Sequence, residues 1–199
     1  SLEELPVKGF NWKSLDHENN IWFEAWFDEA FHLLHCTDKE TAETLQRILL
    51  SAQQLNPHFC MQSDYYAVQS KLEFPRHWGL GSSSTLIDLI AQWAGVDAMK
   101  LFFLSFKGSG YDIACAGAKS AILYKLVNGK AEWQEFQLKL PFSNDIFFVH
   151  LGKKQNSREG IQHYREKKAQ SAEVHHRLND ITKAAAICQD RDEFIRLME

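Results

Sequence analysis

Gly79-Leu80-Gly81-Ser82-Ser83-Ser84-Thr85 and Gly108-Ser109-Gly110-Tyr111-Asp112 are two glycine-rich turns joined by an apolar segment of helical character. The first follows a run from Tyr65 to Phe74 in which Ala67, Gln69 and Lys71 alternate with Val68, Ser70 and Leu72, the period of a strand. It leads into Leu86-Ile87-Asp88-Leu89-Ile90-Ala91-Gln92-Trp93, whose apolar positions suit a buried helix. Strand, glycine turn and helix N-terminus in this order make an anion site. Glycines let the backbone come close, the first helical N–H groups lack partners, and the helix dipole favours negative charge. Serine hydroxyls add donors, and one can also ligate a magnesium ion. No Gly-Lys-Ser/Thr closes the turn, so it is not a Walker A loop, and the glycine spacing does not fit the dinucleotide fingerprint. The stretch reads as a phosphate-binding loop.

Pro75-Arg76-His77-Trp78-Gly79-Leu80-Gly81-Ser82-Ser83-Ser84 resembles the second motif, P-x-x-x-G-L-G-S-S-A, of the galactokinase, homoserine kinase, mevalonate kinase and phosphomevalonate kinase (GHMP) superfamily. Gly108-Ser109-Gly110-Tyr111-Asp112-Ile113-Ala114 resembles that superfamily's S-G-x-D segment, where an aspartate acts near the phosphoryl acceptor. The wording Gly-Tyr-Asp-Ile-Ala is closest to a mevalonate-kinase-like bacterial subgroup named for that string. Two ordered motifs are more specific than either alone; the bland alternative is two ordinary glycine turns.

The resemblance implies an α+β, GHMP-kinase-like two-domain fold. Residues 1–142 would be the ATP-binding domain, similar to the second domain of a small-subunit ribosomal protein and incomplete at its N-terminus. Residues 143–199 would begin a ferredoxin-like second domain, truncated. The implied activity is transfer of the γ-phosphoryl group of ATP to the hydroxyl of a small molecule, mevalonate being the nearest family guess. Gly79, Leu80, Gly81, Ser82, Ser83 and Ser84 would hold the triphosphate, Ser83 would help bind Mg²⁺, and Asp112 would orient or deprotonate the acceptor hydroxyl. On sequence alone Asp112 also reads as a helix cap, and the two roles are compatible.

The chain departs from the family in three respects. The basic first motif, of the G-K-x-x-L-x-G-E type, and the strand that carries it are not visible near Ser1-Leu2-Glu3-Glu4, so the family's catalytic lysine is missing. No third glycine-rich motif closes the chain, which stops in a helical pattern at Met198-Glu199. Where mevalonate kinases place a magnesium-binding glutamate, this chain has Leu101 and Phe102, leaving the second metal ligand unassigned. The expectation is an internal portion of a longer kinase. Two alternatives stay open: a diphosphomevalonate-decarboxylase-like enzyme, which carbon dioxide release would distinguish, and a non-catalytic nucleotide-binding module of the same fold.

Composition and length fit a soluble cytoplasmic chain. The formal net charge of -4 over 199 residues, with Lys and Arg scattered, gives no basic stripe for nucleic acid. No apolar run is long enough to cross a bilayer and no signal peptide opens the chain, so a cytoplasmic location without membrane contact is expected. Cys36, Cys60, Cys115 and Cys188 are far apart and read as reduced, mostly buried thiols.

Around the two turns, Phe10 to Ser14 leads into a strand at Ile21-Trp22-Phe23-Glu24-Ala25-Trp26-Phe27. Thr37 or Asp38 caps a helix through Leu45, Ile48, Leu49 and Ala52 to Leu55, ending before Pro57. His32, His35 and Cys36 have helix-like spacing; packing residues are the default reading and a metal cluster the rarer one. Gly95 ends the first helix of the core stretch, and Asp97 to Leu104 forms another. Ala121–Leu126 and Glu132–Leu140 flank Asn128-Gly129, a hairpin signal. Ile146 to Leu151 reads as a short buried strand, followed by a polar loop with Lys153 and Lys154, which either meet an anionic substrate or form a solvated turn. A long helix runs from about Arg158 towards Cys188, with His175 and His176 on its surface.

Overall fold

The structure, a computed structural model, describes residues 8–61, 63–152, 160, 166 and 172–199. It is a mixed α and β chain that divides into two compact units. One runs to Ala118 and takes in Tyr124–Trp133; the other comprises Lys119–Leu123 and the chain from Gln134 onwards. Among the described residues no helix is long and apolar enough to cross a membrane.

The first unit is built on a four-stranded sheet. Its strands are β1 (Gly9–Leu15), β2 (Ile21–Phe27), β3 (Leu33–Cys36) and β4 (Tyr65–Lys71), in the order β3-β2-β1-β4. The first three are antiparallel, and β4 lies parallel to β1. A parallel pair needs a crossover, and helix α1 (Lys39–Leu55) lies in the one between β3 and β4. Asp38 starts α1 by accepting from the Thr41 N–H at 2.8 Å, and Asn56 ends it just ahead of Pro57. Phe10 to Ser14, a lead-in by sequence, is thus part of a central strand. His32 lies outside any helix and His35 and Cys36 sit in β3, so their helix-like spacing is incidental. Among the described residues no group of three His, Cys, Asp or Glu side chains can hold a metal.

Alternation explains where the core forms. Phe23, Ala25 and Phe27 of β2 are buried on one face, beside Phe10 and Trp12 of β1 and the half-buried Tyr66 and Val68 of β4. Phe10 is the hub, with ring centroids 5.6 Å from Phe31, 5.9 Å from Trp93 and 6.3 Å from Phe27. Burying each such side chain contributes about 1.5–3 kcal/mol. Helices α2 (Ser82–Ala94), α3 (Ala98–Ser105) and α4 (Tyr111–Gly117) supply Ile87, Ile90, Ala91, Ala94, Leu101 and Ile113 to the same core. Ser84, Ile87, Ile90, Ala91 and Ala94 are the buried residues of α2; Leu89 is 55% exposed and Trp93 43%, so the helix is half-buried, where the apolar run suggests full burial.

Strands β5 (Ala121–Val127) and β6 (Lys130–Phe136) form the expected hairpin. Asn128 and Gly129 take φ of 52° and 77°, the positive pair that a type I′ turn demands. Strand β6 ends at Phe136, short of Leu140.

In the second unit, α5 (Ala172–Ile187) and α6 (Arg191–Met198) follow one another, and Asp190 caps α6 through the Glu193 N–H at 2.8 Å. Phe142 packs on Phe194, and Arg191 reaches Asp145 at 3.5 Å. The expected buried strand Ile146–Leu151 is not one. The segment has no assigned strand structure, and Phe147, Phe148, Val149 and Leu151 are each about four-fifths exposed or more. A strand needs a neighbour for its N–H and C=O groups, and among the described residues none pairs with this run. Lys153, Lys154 and the start of the long helix at Arg158 lie outside the described residues.

Candidate functional site

Strand β4 ends at Lys71, and a short 3₁₀ turn over Arg76–Trp78 delivers the chain to the first glycine turn. Gly79 and Gly81 both take left-handed backbone, with φ of 72° and 74°. Side chains rarely adopt this conformation, which is why glycines stand there. Helix α2 begins at Ser82, so the loop proper is Gly79, Leu80 and Gly81, and the three serines form the first helical turn.

The start of α2 has no side-chain cap, because its cap residue is Gly81. Its first intrahelical bond runs from the Thr85 N–H to the Gly81 carbonyl at 3.1 Å. The N–H groups of Ser82, Ser83 and Ser84 come before that bond, at the positive end of a 13-residue helix. The serines are not equivalent. Ser84 is 8% exposed, and its hydroxyl donates to the Gly81 carbonyl at 2.7 Å. It braces the loop from below. Ser83 is exposed and Ser82 half-buried. Arg76, just upstream, stands over the Trp22 ring with its guanidinium carbon 3.7 Å from the centroid.

The second turn is held by steric fit. Gly110 is buried with φ of 79°, and a Cβ there would lie 2.5 Å from Met99 Sδ and 3.4 Å from Phe103 Cζ. Gly108 meets Phe102, with a would-be Cβ 3.1 Å from its Cζ. The cap of α4 is Gly110, so Asp112 is not the cap but an exposed residue of the first turn. Beside it, Tyr111 is raised above the usual tyrosine range by its interaction with Cys115, by partial burial and by the charge of Asp112. Tyr124 of β5 donates its hydroxyl to the Ser109 carbonyl, and its ring meets Tyr111 edge-on at 5.6 Å.

Helices α2 and α4 are neighbours in the first unit. A methyl on Gly117, the last residue of α4, would sit 3.5 Å from Asp88 Oδ1 on α2, while Gln92 Nε2 donates to Asp88 Oδ2 at 2.7 Å. Asp112 stands about 7.5 Å of helix away from that contact, at 1.5 Å per residue. Both glycine turns therefore lead into helices packed on one another. Of Leu101 and Phe102, Leu101 is wholly buried in the core and Phe102 is half-buried, and neither side chain can ligate a metal. Sequence reasoning passed over Tyr124, Asp88 and the inward turn of Ser84, because each depends on a contact rather than on a local pattern. The chain matches no protein-family model, no curated protein and no solved structure.

Proposed function

We propose that this chain is the nucleotide-binding part of an ATP-dependent small-molecule kinase of the GHMP type. The observation that carries the reading is the uncapped start of α2, where left-handed Gly81 follows strand β4 and leaves the Ser82, Ser83 and Ser84 N–H groups to an anion. The fit to phosphate is chemical as well as geometric. N–H groups and hydroxyls are the donors that phosphate oxygens accept, and glycine at 79 and 81 permits the left-handed backbone that leads into them.

ATP would supply the phosphoryl group, with Mg²⁺ held chiefly by its phosphate oxygens and water. The Ser83 hydroxyl is the one protein ligand the reading assigns to that ion. Ser84 keeps the loop in shape through its bond to Gly81. Asp112 would accept the proton of the acceptor hydroxyl as the new phosphorus–oxygen bond forms and ADP leaves. Most of the acceleration in such a reaction comes from positioning and charge neutralisation, so the donors at α2 matter as much as the base. The apolar pair Leu101 and Phe102 at the family's acidic position favours a second reading, a nucleotide-binding module without turnover.

One experiment separates these. Titrating the full-length protein with Mg-ATP, then following ADP over a panel of hydroxy acids, sugars and homoserine, should show binding and acceptor-dependent release. Asp112→Asn should lower turnover by about 10²–10⁴-fold with ATP affinity nearly unchanged. Binding without ADP formation supports the second reading, and no ATP affinity at millimolar concentration refutes both.

A further inference from the structure

The turn that presents Asp112 is gripped from two sides. On one side α3 closes on it, with Met99 and Phe103 against Gly110 and Phe102 against Gly108. On the other, Tyr124 reaches in from β5, and its hydroxyl donates to the Ser109 carbonyl. The ring of Tyr124 adds an edge-on contact to Tyr111 at 77°, immediately before Asp112 in sequence. Burial holds the Tyr124 phenol above the usual tyrosine range, so it remains a protonated donor at neutral pH. Within the turn, the Ser109 hydroxyl accepts from the Tyr111 N–H at 3.3 Å. The peptide from Ser109 to Tyr111 is thus tied at its carbonyl, its hydroxyl and its neighbouring ring, and it fixes the direction in which α4 begins.

We propose that Tyr124 is a positioning residue for Asp112: by holding the Ser109 carbonyl it sets where the carboxylate stands relative to an incoming hydroxyl. The inference rests on the phosphoryl-transfer reading above. Without the hydroxyl tether the turn keeps its α3 packing but can rotate about Ser109, moving Asp112 while leaving the start of α2 untouched. Tyr124 therefore acts on the acceptor side of the reaction and not on nucleotide binding.

Tyr124→Phe in the full-length protein removes only the hydroxyl and keeps the ring against Tyr111. Because a misplacement near 1 Å costs on the order of a hundredfold, loss of one tether is expected to lower kcat about tenfold. KM for ATP should stay within about twofold, since the triphosphate donors lie on α2. Amide exchange across Gly108–Asp112 should quicken, with exchange in β1 and α2 unchanged. Wild-type kcat in an active protein carrying Tyr124→Phe overturns the positioning role, whether or not exchange quickens. An equal rise in KM for ATP, with exchange faster throughout the unit, overturns it too, because the residue would then be merely structural. A wild-type protein that forms no acceptor-dependent ADP refutes the phosphoryl-transfer reading itself, an outcome distinct from a variant that matches an active wild type.

Discussion

Gly81→Ala isolates what the first glycine turn requires. A residue with a side chain at φ of 74° carries a left-handed penalty of about 1–2 kcal/mol. A second cost is local. The new Cβ would lie 3.2 Å from Ser84 Oγ, which must move by a few tenths of an ångström. That hydroxyl is buried and bonded to the Gly81 carbonyl at 2.7 Å, so displacing it weakens a bond worth about 1 kcal/mol. The carbonyl itself stays satisfied, because the Thr85 N–H and hydroxyl also reach it. Gly81→Ala should therefore cost about 2–3 kcal/mol. Gly95 is the control, with φ of 64° and no atom within 4 Å of a would-be Cβ, so Gly95→Ala should cost only the left-handed term, about 1–2 kcal/mol. All six tryptophans lie in the first unit, so intrinsic fluorescence during urea unfolding reports that unit alone. Adding Ser84→Ala to Gly81→Ala should recover about 1 kcal/mol as a coupling energy. Equal losses for Gly81→Ala and Gly95→Ala, with no coupling to Ser84, would refute the crowding argument and with it the bracing role of Ser84.

Three further outcomes are expected. Leu101→Glu places a charge at a wholly buried core position and should destabilise the first unit by about 4 kcal/mol or more; Phe102→Glu, at a half-buried position, should cost less, and a Leu101→Glu protein of near-normal urea midpoint would contradict the core assignment. Hydrogen bonds from Thr41 hold the Asp38 carboxyl below the usual range. The stabilisation from this depressed pKa is complete above the unfolded value and lost as pH falls through the folded one, so the melting-temperature gap to Asp38→Asn should shrink below about pH 4. A gap that does not change between pH 6 and pH 3 would sink that account. Burial pushes the Cys60 thiol up to about 12, whereas Cys115 is exposed, so iodoacetamide at pH 8 should label Cys115 well before Cys60 by mass spectrometry; comparable rates would show that Cys60 is not shielded.

The sequence determined the elements whose signals are local. Asp38 starts α1 because its carboxylate can reach the Thr41 N–H three residues on, and Gly95 ends α2 because glycine tolerates the left-handed residue a helix stop needs. Asn128-Gly129 closes the hairpin for the same conformational reason. The two glycine turns and their helices were legible too, since backbone freedom and apolar period are written in adjacent residues.

Tertiary structure decided what depends on partners distant in sequence. Phe10 to Ser14 becomes a central strand only because β2 and β4 flank it, and β4 arrives some fifty residues later by way of α1. Ile146 to Leu151 has as apolar a pattern, yet it forms no strand, because the pattern supplies side chains and not the second backbone that a ladder requires. Ser82, Ser83 and Ser84 are alike as letters; helical phase alone turns Ser84 inward to bind the loop and leaves Ser83 facing out. Tyr124 donates to the Ser109 carbonyl, a contact between residues 15 positions apart that neither one's neighbours announce.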